Sequence, residues 1–83
     1  MKPGYTIDEK FLLKIFELAE KRGDPKTPIE VHQVGRLLGL NDRSMATIVR
    51  TLAQTNFIKK QGEERVSLTE NGLSLIESLQ ESF

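Results

Sequence analysis

The chain has 83 residues, no cysteine, and 12 basic side chains against 12 acidic ones, so its formal net charge is zero. That length fits one domain over residues 1–83, and 37% hydrophobic with 29% charged residues is the balance of a folded globular chain, not a disordered one. Disulfides and thiolate metal sites are excluded, no apolar run approaches the roughly 18 residues that cross a bilayer, and Met1-Lys2-Pro3-Gly4-Tyr5 lacks the apolar stretch of a signal peptide, which points to a cytoplasmic protein.

The first helix is marked by a capping box. Thr6 and Glu9 have the spacing at which the hydroxyl accepts from the Glu9 amide and the carboxylate accepts from the Thr6 amide. Ile7, Phe11, Leu12, Ile15, Phe16 and Ala19, with Leu18 alongside, then recur at helical spacing and define one broad buried face. Lys21 and Arg22 suit the negative end of the helix dipole, and Gly23 is placed to stop the helix. Gly23-Asp24-Pro25-Lys26-Thr27-Pro28 reads as a loop, and Ile29 as part of a very short strand.

A second helix is expected from Glu30 or Val31 to Leu38, with Val31, Val34, Leu37 and Leu38 on its buried side. Gly39 follows where a left-handed residue ends a helix, and Leu40 plugs the turn. Asn41 or Asp42 caps a third helix over about Arg43 to Thr55, with Met45, Ile48, Val49 and Leu52 facing inward. The period then changes. Phe57-Ile58-Lys59-Lys60 reads as a strand, Gln61-Gly62-Glu63-Glu64 as a turn and Arg65-Val66-Ser67-Leu68 as the returning strand. Thr69 caps a fourth helix bearing Leu73, Leu75, Ile76 and Leu79.

Val34-Gly35-Arg36-Leu37-Leu38-Gly39-Leu40-Asn41, followed by Asp42-Arg43-Ser44-Met45, joins two short helices through a glycine-containing turn, the sequence form of a helix-turn-helix. Gly35 stands mid-helix, where it costs about 1 kcal/mol against alanine. That cost makes sense if the third helix crosses there and a larger side chain would clash. Ile29 to Gly72 resembles the winged helix-turn-helix regulators of the multiple-antibiotic-resistance and arsenic-repressor groups. Beyond the helix-turn-helix, the resemblance rests on Asn56-Phe57-Ile58 before the hairpin and Ser67-Leu68-Thr69-Glu70-Asn71-Gly72 after it. The chain departs from that pattern at Gly35, where the family often has alanine, and at Asn56, where it often has glycine. The short wing also carries Glu63 and Glu64.

The resemblance implies a mainly α fold with a small β-hairpin: a three-helix core, a two-stranded wing and a C-terminal helix. It also implies sequence-specific binding of double-stranded DNA as a transcriptional regulator, with the third helix in the major groove. Arg43 and Thr47 are then the candidates for base edges, and Ser44, Arg50 and Thr51 for phosphates. Lys59, Lys60 and Arg65 on the wing would meet the flanking backbone or minor groove.

Charge distribution agrees. Residues 26–60 hold six basic side chains against Glu30 and Asp42, while residues 61–83 hold Arg65 against five glutamates. Leu73, Leu75, Ile76, Leu79 and Phe83 exceed what one buried helix face needs, and Leu75 and Leu79 form a second stripe. A homodimer through the fourth helix is the expectation. His32 is the lone histidine and reads as a surface or half-buried helix residue, with no second histidine or cysteine to complete a metal site. No nucleophile has a base beside it in the pattern and no phosphate-binding glycine loop is present, so neither an enzyme nor a cofactor is expected. The competing reading is a winged helix that contacts protein instead of DNA. The zero net charge and the acidic wing turn favour it.

Overall fold

In a computed structural model, which describes residues 4–81, the element order is α1 (Ile7–Lys21), β1 (Ile29–Glu30), α2 (Val31–Leu38), α3 (Asp42–Gln54), β2 (Ile58–Gln61), β3 (Arg65–Leu68) and α4 (Glu70–Glu81). The three strands form an antiparallel sheet in the order β1-β3-β2. Phe83, the last residue of the expected fourth-helix stripe, and Met1, Lys2 and Pro3 lie outside the described residues.

α1, α3 and α4 each start where a side chain accepts from one of the helix's first amides. Both halves of the α1 capping box are present: Glu9 N–H donates to Thr6 Oγ1 at 3.2 Å and Thr6 N–H donates to Glu9 Oε1 at 2.8 Å. Asn41 is the cap of α3, its Oδ1 accepting from Ser44 N–H at 2.8 Å, so that helix begins one residue before the expected Arg43. The N-cap of α2, Glu30, offers no side-chain bond; the Val31 amide instead donates to the Glu64 carbonyl at 2.8 Å. The turn of the wing thus closes over the start of α2, because β1 pairs with β3 with Ile29 opposite Val66 and Glu30 opposite Arg65.

The helix-turn-helix has the expected geometry. Gly39 ends α2 in the left-handed region at φ 70°, and Leu40 N–H donates to Gly35 O at 2.8 Å. Gly35 is buried, and a Cβ built on it would overlap the Met45 sulfur of α3. The helices therefore cross at the glycine. Around that crossing the core gathers Phe11, Leu12, Ile15 and Ala19 from α1, Ile29 from β1, Val34 from α2, and Met45, Ile48, Val49 and Leu52 from α3. Ile58, Val66, Leu68 and Ile76 close it from the wing and α4. Burying each of the larger aliphatic side chains contributes about 1.5–3 kcal/mol against its exposed state.

Three expectations need correction. Leu37 is not on the buried side of α2: it is 56% exposed, while Val34 and Gly35 carry the contact. β2 runs from Ile58 to Gln61, not from Phe57, whose amide is turned back to Leu52 O at 2.9 Å. Leu75 and Leu79 are half-buried rather than an open second stripe. Leu75 packs against the core.

Candidate nucleic-acid interface

The inward side of α3 is sealed by Met45, Ile48, Val49 and Leu52, which leaves Arg43, Thr47, Arg50, Thr51 and Gln54 exposed on its outer side. Their offsets of four, seven, eight and eleven from Arg43 place them on one flank of a 3.6-residue helix. Ser44 is half-buried, its amide engaged by the Asn41 cap. The Thr47 hydroxyl donates to the Arg43 carbonyl at 3.1 Å, so its one proton is used and it offers a ligand lone pairs and a methyl.

Arg43, Ser44 and Thr47 line an open cleft with Ile7, Asp8, Leu40 and Ile48, where the first turns of α1 and α3 meet. Arg50 and Thr51 sit two turns further along α3, outside that cleft. On the wing, Lys59 pairs in register with Ser67 and Lys60 with Val66, and both lysines are exposed. Arg65 is exposed between Glu30 on β1 and Gln61 on β2. Alternate residues of a strand project to opposite faces, so Lys59 and Lys60 serve different sides of the wing.

Lys60 faces α3. It lines a second cleft whose floor is Val31, Met45, Ala46 and Val49 and whose rim includes His32, Asp42, Glu63 and Glu64. The linear reading missed this arrangement. Gln61-Gly62-Glu63-Glu64 reads in sequence as an acidic turn, and nothing in the local pattern signals that it folds back on the start of α2. The bond from Val31 N–H to the Glu64 carbonyl holds the turn on the start of α2, and Glu63 and Glu64 share the cleft with Asp42, Met45, Ala46 and Val49 of α3. The division into a positive middle and a negative tail therefore does not persist in space. Lys26, counted with the positive segment, is moreover ion-paired to Glu70.

Among the described residues the ion pairs are Lys14–Glu17 and Lys26–Glu70. Arg43, Arg50, Lys59, Lys60 and Arg65 take part in neither and have their charge available. Groups that could hold a metal ion are absent among the described residues, and no helix there is long and apolar enough to cross a membrane.

A three-helix unit with a tight α2–α3 crossing, a hairpin wing and a closing helix defines a winged-helix domain. Among solved structures, reduced AbfR bound to DNA and overoxidized AbfR bound to DNA each align over 94% of this chain, with a TM-score of 0.64 and 23% identity. The chain spans just over half of those proteins, 56% and 57% respectively. No protein-family model matches the chain, and no curated protein sequence does. The resemblance read from the sequence thus holds at the level of the fold.

Proposed function

We propose that this is a single non-enzymatic domain, residues 1–83, that binds double-stranded DNA as a transcriptional regulator, with α3 in the major groove. The observation that carries the reading is the outer flank of α3, where Arg43, Thr47, Arg50 and Thr51 stand exposed on one side of a helix whose other side is fully committed to the core. An α-helix fits the major groove, and residues near its start reach base edges. Arg43 pairs bidentately with guanine, and the Thr47 methyl meets a thymine methyl. Ser44, Arg50 and Thr51 contact phosphates, while Lys59, Lys60 and Arg65 meet the flanking backbone or minor groove. The fold shared with DNA-bound AbfR supports this reading. A two-fold homodimer through α4 would set two α3 helices about 34 Å apart on a near-palindromic site.

Binding to mixed duplex DNA at low and moderate salt tests this. Affinity is expected to fall by close to one log–log unit of slope per phosphate contact. Arg43→Ala relaxes base preference, and Lys59→Ala weakens binding to every sequence alike. Binding that ignores salt removes the reading. One observation favours a protein partner instead: Asp42, Glu63 and Glu64 gather at the cleft between α3 and the wing, where carboxylates suit a basic protein surface better than phosphates. Failure of duplex binding at every salt concentration selects that alternative.

A further inference from the structure

We infer that Thr69 is a positioning residue for DNA binding: its hydroxyl bolts the end of α3, the start of the wing and the first turn of α4 into one joint that sets the wing's angle to α3. The inference rests on the DNA-binding reading above.

The joint is built from five residues. Thr69 Oγ1 donates to the Asn56 carbonyl at 2.5 Å and accepts from the Gly72 amide at 3.0 Å. Thr69 N–H donates to the Phe57 carbonyl at 3.2 Å, and Phe57 N–H reaches back to Leu52 O in the last turns of α3 at 2.9 Å. Asn56 holds the left-handed conformation, φ 63°, that turns the chain from α3 into β2. Gly72 lies so close that a Cβ there would overlap the Phe57 carbonyl oxygen and stand 3.5 Å from Leu68 Cδ2. One hydroxyl therefore uses its proton on the α3–wing turn and a lone pair on α4. An ordinary N-cap makes only the second bond.

The leverage is large. Lys59 is two residues past Phe57, roughly 7 Å out along the strand. A tilt of about 10° at the joint moves it by roughly 1.2 Å, enough to break a hydrogen bond to a phosphate, whose length tolerates only about half an ångström.

Thr69→Val removes the hydroxyl at nearly constant volume, and Thr69→Ser keeps it. Duplex affinity is measured for both at two salt concentrations, each with and without Lys59→Ala. Thr69→Val is expected to bind about 5–20-fold more weakly, with a shallower salt dependence, and Lys59→Ala should then cause no further loss. Thr69→Ser should behave as the wild type. Thr69→Asp supplies a variant that still caps α4 but has no proton for the Asn56 carbonyl. It should fold and still lose the Lys59 effect. A Lys59→Ala effect that persists undiminished in Thr69→Val or Thr69→Asp overturns the inference and leaves Thr69 a stabilising cap. Wild-type protein that shows no salt-dependent duplex binding overturns the DNA reading itself, and this inference with it.

Discussion

Replacing Gly35 with alanine sets two magnitudes against each other. Alanine gains about 1 kcal/mol of helix propensity over glycine. Its Cβ, however, would overlap Met45 Sδ and stand 2.7 Å from Cγ and 3.1 Å from Cε. Met45 is only 5% exposed, so its thioether has to move within a packed core, and overpacking of this kind costs about 1–3 kcal/mol. A net loss near 1 kcal/mol follows, which for a domain of this size lowers Tm by about 4–8 °C. Met45→Ala alone opens a cavity and costs about 2–5 kcal/mol. In the double variant the new methyl fills part of that cavity and meets no sulfur. The combined loss should then fall short of the sum by at least about 1 kcal/mol. Urea denaturation of the wild type, both single variants and the double variant reads this directly. Additive losses, or a Gly35→Ala protein more stable than the wild type, would refute the tight α2–α3 crossing on which the placement of the outer flank depends.

Asn56 sits at φ 63°, so Asn56→Gly should leave the melting temperature nearly unchanged while Asn56→Ala costs about 1 kcal/mol in the same melt. Glu63→Gln with Glu64→Gln should tighten binding to any duplex about 3–10-fold at low salt by removing like-charge repulsion from phosphates at the wing, a gain that shrinks as salt is raised; fluorescence anisotropy checks both. The Lys14 ammonium, by a hydrogen bond and then by its charge, holds the Glu17 carboxyl below its ordinary value. A depressed carboxylate stabilises above its unfolded pKa and loses that contribution as pH falls through the folded value. Lys14→Gln should therefore melt slightly below the wild type at neutral pH and together with it at about pH 2, a small difference because the pair is solvent-screened.

Local physics made much of the fold legible. The Thr6–Glu9 box, the Asn41 cap, Gly39 and the inward set of Met45, Ile48, Val49 and Leu52 are each determined by residues within a turn or two, and all stand where their spacing put them. Leu37 was misplaced because the period of α2 cannot distinguish an apolar residue facing the core from one at the edge of an eight-residue helix that packs on one side only. Leu75 and Leu79 looked like a free stripe for a similar reason: α4 packs on α1, and the Tyr5 hydroxyl donates to the Leu79 carbonyl. The candidate site was legible in its α3 half, where a helical face follows from arithmetic. Its wing half was not. The cleft that gathers Asp42, Lys60, Glu63 and Glu64 depends on β1 pairing with β3 across some thirty-five residues, and no local signal encodes that.

The central claim is that the exposed side of α3 is the surface that meets DNA. Backbone amide chemical shifts, followed by NMR as a mixed duplex is added at low salt, test it residue by residue. The account predicts changes concentrated over Asn41–Thr55 and the wing strands from Ile58 to Arg65, fading as salt is raised. Changes centred on the outer face of α1, at Leu13, Glu17 and Glu20, with α3 silent, would contradict it.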